Sequence, residues 1–192
     1  MLKIFDLQCR LAALGHQPGP LDGLWGPRTE AALRDAAAAA RRDPADWRAW
    51  IIHPSGLHRI VMHWTAGAYG DIALERRAYH VLIARDGRAV MGDYAPEANS
   101  DCTDGRYAAH TRALNTGSIG VSIDAMAGAQ ERPFDHGPSP ITEAQVAGLV
   151  REVAGLCLTY SIPVSPYSVL THAEVQGRLG VAQRTKWDIT WL

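Results

Sequence analysis

Neither sign of charge dominates this chain of 192 residues, whose formal net charge at neutral pH is −1. Charge-driven binding to a polyanion needs clustered Lys and Arg, so no nucleic-acid partner is expected. Cysteine is sparse too: Cys9, Cys102 and Cys157 are odd in number, widely separated and without a C-x-x-C pair. That pattern suggests neither a disulfide framework nor a cysteine zinc knuckle, and reads as free thiols of a protein folded in the cytosol. Long apolar runs are missing. No segment approaches the ~20 residues that a membrane-spanning helix requires, so no membrane insertion is expected. The opening Met1-Leu2-Lys3-Ile4-Phe5-Asp6-Leu7 carries an early acid and no small-residue cleavage site, which predicts a chain made and held in the cytoplasm without a signal peptide.

What is present suits a globular protein. An apolar fraction of 47% and this length allow one domain of ordinary size with a small appendage. Residues 1–45 read as a helical module: Leu7, Leu11 and Leu14 lie at helical spacing, Gly15 closes the helix, and Pro18-Gly19-Pro20 turns the chain. A tight loop, Leu21 to Thr29, follows, with Thr29 expected to cap a helix from Glu30 to Arg41. Pro44 should stop that helix, and residues 46–57 read as a linker with one or two helical turns, His53 and His58 being surface residues.

Residues 58–192 carry the pattern of an α/β domain. Ile60-Val61-Met62 is a short buried strand that delivers His63 to a loop. Ile72 to Ala78 suggests a short helix, and Tyr79 to Arg85 a strand turning through a two-residue Asp86-Gly87 hairpin into Arg88-Ala89-Val90-Met91. Ile119 to Ile123 is another buried strand, and Met126 to Pro140 a long Gly- and Pro-rich loop near the site. Thr142 and Gln145 have capping-box spacing ahead of a helix whose apolar face is Val146, Leu149, Val150, Val153, Leu156 and Cys157. Ser168 to Thr171 forms the last strand, and the tail wraps back to deliver Asp188. The fold class is therefore α/β, a mixed central β-sheet flanked by helices with a small N-terminal helical module. His63, His172 and Asp188, two imidazoles and a carboxylate with Lys186 adjacent, fit a catalytic zinc site, since such sites take three protein ligands and keep one position for water.

Four blocks, in this order and spacing, carry a resemblance. They are Val61-Met62-His63-Trp64-Thr65-Ala66-Gly67; Tyr79 to Ile83 with Asp86-Gly87; His110 with Asn115 and Ser118 to Val121; and Thr171-His172-Ala173-Glu174 with Lys186-Trp187-Asp188. Ile60 to Leu192 resembles the type 2 N-acetylmuramoyl-L-alanine amidases, the domain shared with peptidoglycan recognition proteins. The stretch from Leu7-Gln8 through Asp22-Gly23-Leu24-Trp25-Gly26-Pro27-Arg28-Thr29 to Leu33 resembles the small peptidoglycan-binding module of wall hydrolases. The resemblance implies Zn2+ held by His63, His172 and Asp188, with Tyr79 and Lys186 catalytic. Trp64, Thr65, His110 and Asn115 are expected to line the substrate groove, and His80, facing the other way along its strand, to pack. It implies hydrolysis of the amide between N-acetylmuramic acid and L-alanine, with peptidoglycan as the partner; a wall hydrolase without a signal peptide in turn suggests an endolysin, expected as a monomer, acting on the wall once the membrane is permeabilised. A non-catalytic peptidoglycan-binding protein is the alternative from another class, and a hydrolase cutting between stem-peptide residues is a third reading.

Overall fold

The near-continuous apolar runs at Ile60 and Ile119 do what such runs do best, pairing in parallel at the centre of a sheet covered on both faces. In the computed structural model, which describes residues 4–51, 55–70, 72–184 and 187–189, strands β1 (Arg59–Trp64), β2 (Val81–Ile83), β3 (Ala89–Met91), β4 (Ser118–Ile123) and β5 (Val169–Thr171) are ordered β3-β2-β4-β1-β5. β1 is parallel to β4 and β5, β2 is parallel to β4, and β3 alone runs antiparallel, against β2. The sheet is mixed, as expected.

Helices cover both faces. They are α1 (Ile4–Ala13), α2 (Pro27–Ala40), α3 (Trp47–Trp50), α4 (Ile72–Glu75), α5 (Glu143–Thr159) and α6 (His172–Leu179). α5 lays Leu149, Val153 and Cys157 on Ile60, Ile83, Ile119 and Val121. Its start carries the expected capping box between Thr142 and Gln145. Val150, expected on the buried face, is 64% exposed, because that flank of α5 lies beyond the edge of the covered stripe. On the opposite face, Val61 and Leu170 meet Val175 and Leu179 of α6 and Cys9 of α1. His63, two residues after Val61 on β1, shares that face, at the C-terminal end of the strand.

Several local readings need correction. The β2–β3 connection is a three-residue loop, since Ala84 N–H bonds Arg88 O at 2.9 Å and Gly87 occupies the left-handed region at φ +80°. A turn followed by one left-handed residue matches the twist of the strands as well as the expected two-residue form does. α2 starts at Pro27, so Thr29 lies inside the helix; proline needs no cap on a missing N–H, and its fixed φ suits the first turn. The Thr29 hydroxyl instead donates to Pro18 O and accepts from Gln8 Nε2. α4 is shorter than the Ile72 to Ala78 helix expected. Leu14, expected on the buried stripe, is 42% exposed beyond the end of α1. His53 lies outside the described residues. His58, expected at the surface, is buried, with its Nε2 3.3 Å from Asp6 Oδ1. Its partner comes from α1, too distant in sequence for the local pattern around His58 to reveal.

α1 belongs to two cores at once. Leu7 and Leu11 pack with Ala32, Leu33, Ala36, Trp47 and Ile51 of the helical segment, while Cys9 and Phe5 pack on the sheet. Asp6 sits 3.5 Å from Nη2 of fully buried Arg59, and Arg10 donates to Ile51 O and Ser161 O.

Candidate metal centre and groove

Three chain segments meet at the C-terminal end of β1. β1 supplies His63, α6 begins with His172, and the following tail returns Asp188 to them. The return is anchored by the main chain, Ala173 N–H donating to Asp188 O at 2.7 Å. At the base of α6 the Glu174 carboxylate accepts from Thr171 N–H at 3.0 Å, which sets the helix start and with it the aim of His172.

His63 Nδ1 and His172 Nδ1 each lie 3.2 Å from the same oxygen, Asp188 Oδ2. One ligand atom from each residue lies within 4.8 Å of the others, and all three residues are buried. Burial by itself would raise the Asp188 carboxyl; the neighbouring His172 and His63 override it and hold it well below the usual carboxylate range. Two imidazole nitrogens and a carboxylate oxygen brought so close present lone pairs to one point, a set that fits zinc, which takes N and O ligands from His and carboxylate.

The opposite sides of the rings are also occupied. His63 Nε2 is 3.3 Å from Thr111 Oγ1 and from His110 Nδ1, and His172 Nε2 is 3.0 Å from Gln183 Oε1. His110 packs over Gly120, where a Cβ would come within 2.4 Å of its ring, so the missing side chain on β4 makes its seat. Burial first, then the neighbouring His63, His80 and His172, keeps His110 unprotonated to well below the usual imidazole range. The Tyr79 ring lies 5.1 Å from that of His63, and burial, with the Asp188 and Glu75 carboxylates, pushes its phenol up. It is therefore a proton-bearing donor beside the cluster.

The groove over the cluster encloses about 450 Å3, with Trp64, Thr65, Tyr79, His110, His172 and Asp188 in its lining. Trp64 packs edge-on to Trp187 at 4.8 Å, and Trp187 in turn meets half-exposed Phe134 at 6.5 Å, forming an aromatic wall. The 126–140 loop contributes Met126, Gly128 and Ala129, in keeping with its expected position near the site.

One expected groove residue stands elsewhere. Asn115 is absent from the lining; its Oδ1 accepts from Thr111 N–H at 2.8 Å, so it braces the loop that carries His110 and Thr111. Lys186 lies outside the described residues. His80 packs as expected, its Nδ1 accepting from Gly120 N–H and its Nε2 meeting Asn99 Oδ1. Sequence reasoning missed Thr111, Asn99 and Gln183. Thr111 adjoins His110 and could have been flagged by that; Asn99 and Gln183 sit in polar segments where residue type alone gives no signal.

The family model described as N-acetylmuramoyl-L-alanine amidase matches residues 53–188. A comparison with curated proteins found no match. Among solved structures, the Ph2119 endolysin of a Thermus scotoductus bacteriophage is 22% identical, covering 64% of this chain and 75% of that one at a TM-score of 0.42. The amidase AmiD from E. coli, in complex with anhydro-N-acetylmuramic acid-L-Ala-D-gamma-Glu-L-Lys, is also 22% identical, covering 63% and 49% at a TM-score of 0.47. Drosophila peptidoglycan recognition protein SD is 18% identical, covering 63% and 70% at a TM-score of 0.42.

Proposed function

The chain belongs to the N-acetylmuramoyl-L-alanine amidase family, and from that premise we propose that it is a working zinc hydrolase rather than a binding protein. Its substrate is peptidoglycan, and the bond cut is the amide between the lactyl group of N-acetylmuramic acid and L-alanine. The observation that carries this reading is the meeting of His63 Nδ1, His172 Nδ1 and Asp188 Oδ2, with His172 and Asp188 lining an open groove. A protein that only binds peptidoglycan has no need of three buried lone-pair donors there.

His63, His172 and Asp188 would hold zinc, which would supply a Lewis acid for the amide carbonyl and an activated water. The protein's own groups do the rest. The Tyr79 hydroxyl, on the groove wall beside His63, donates to the oxygen that gains charge as the carbonyl becomes tetrahedral. Lys186, two residues before Asp188, is assigned the role of a second donor, a cationic one, on the strength of the resemblance. Trp64, Trp187 and Phe134 offer flat apolar faces against which a sugar ring or the lactyl methyl excludes water. His110 stays neutral and props His63 from behind.

The cellular role we assign is lysis: an endolysin, active as a monomer, held in the cytoplasm and reaching the wall after the membrane is permeabilised. Among the described residues no helix is long and apolar enough to cross a membrane, which is compatible with that route. Residues 1–45 are assigned a wall-contacting role, with Leu24 and Trp25 exposed on the Asp22-Gly23 loop as the contact.

The test is metal analysis with digestion of purified peptidoglycan. One zinc per chain, loss of activity on chelation, and release of stem peptides with a free L-alanine amine by mass spectrometry are the expected results. A metal-loaded protein that leaves the lactyl amide intact would sink the assignment.

A further inference from the structure

Gln183 enters the site from the segment between α6 and Asp188, held at both ends. Its main-chain N–H donates to Gln176 Oε1 at 3.0 Å, and its side-chain Nε2 donates to Arg112 O at 3.0 Å and Val181 O at 3.4 Å. Carbonyl oxygens only accept, so the NH2 end of the amide must face them. The amide oxygen is thereby turned to His172, with Oε1 3.0 Å from Nε2. That oxygen also only accepts, which requires the hydrogen on Nε2. A neutral imidazole carries a single N–H, so Nδ1 is left with its lone pair, facing Asp188 Oδ2 and the cluster.

We propose that Gln183 is a positioning residue for the metal. It locks His172 in the Nε2–H tautomer and ties the ring to the segment that carries His110 and Thr111. The inference rests on the zinc reading above. On the other ring, His63 Nε2 faces the Thr111 hydroxyl and His110 Nδ1, and His110 turns its own Nε2 to Ser118 O. Outer partners of this type commonly contribute about 10- to 100-fold in metal affinity.

Two measurements on the full chain test this. Long-range 1H–15N correlation spectra of the metal-free wild type at mildly alkaline pH should place the His172 proton on Nε2. Zinc affinity, measured by competition with a chromophoric chelator, should fall about 10- to 100-fold in Gln183→Leu. Gln183→Glu, which keeps an acceptor for the ring N–H, should recover about tenfold or more of that loss. A His172 proton on Nδ1 in the wild type, or a Gln183→Leu protein that binds zinc as tightly as wild type, overturns the inference. If Gln183→Leu does not fold, the wild-type tautomer and the Gln183→Glu affinity decide. A wild type that binds no zinc at all would instead bring down the hydrolase reading, and the inference with it.

Discussion

At the scale of single residues, donors of opposite duty lie side by side: His63 turns one nitrogen to the cluster and the other to its support, and Tyr79 stands beside it as a proton donor. Tyr79→Phe should keep zinc and lower kcat by about 10²–10³, the usual loss of one oxyanion donor; an unchanged kcat on purified muropeptide would remove Tyr79 from the mechanism. His80 gives a pH prediction. Burial holds it down to about 4, below the ~6.5 of an exposed imidazole. Between those values the unfolded chain takes up a proton that the folded chain refuses. Stability is therefore complete above pH 6.5 and falls as pH drops toward 4, by on the order of 3 kcal/mol from His80 alone. Burial lowers His58 and His110 too, which adds in the same direction. Urea midpoints at pH 7 and 4.5 test this, and equal midpoints would contradict it. Two of the cluster residues could be found from sequence because each adjoins a strand signal, His63 after Ile60-Val61-Met62 and His172 after Val169-Leu170, whereas Asp188 was legible only through the family resemblance. The partners of His172 and His80 could not, because Gln183 and Asn99 act through contacts across 11 and 19 residues that no local period encodes.

At the scale of elements, α5 shows how far periodicity reaches. Its capping box and its buried Leu149, Val153 and Cys157 were legible in the 3.6-residue pattern and in the Thr142–Gln145 spacing. Hidden from that pattern was the Gln145 side chain, which turns inward to donate to Ile83 O and Asp124 O and so ties the helix to two strand ends. Two glycines of the helix should respond oppositely to alanine. At Gly148 a Cβ would lie 2.3 Å from Gly87 O on the β2–β3 loop, whereas at Gly155 nothing lies within 4 Å. Gly148→Ala should cost about 1–3 kcal/mol through forced displacement of backbone. Gly155→Ala should stabilise by about 0.5–1 kcal/mol through the higher helix propensity of alanine. Chemical denaturation of both variants checks the pair, and changes of the same sign would refute the packing account.

At the scale of the whole molecule, the change from helices to strands at β1 was legible as a change of period. The shared helix was not: α1 divides its sides between two cores, and amphipathicity cannot name which partner each side meets. The Asp6 carboxylate lies against buried His58 and Arg59. Asp6→Ala should cost about 3–5 kcal/mol by stranding a buried charge. The full chain should unfold in one cooperative transition, and two resolved calorimetric transitions would show that the helical segment melts independently. The order of residues at the cluster has a further consequence for biosynthesis. Asp188 follows every element it must close upon, and its backbone is pinned to Ala173. A nascent chain on the ribosome thus presents two imidazoles and no carboxylate to join them until Asp188 has emerged. The chain order thus makes the closing of this cluster a late event, after the strands and α6 that frame it.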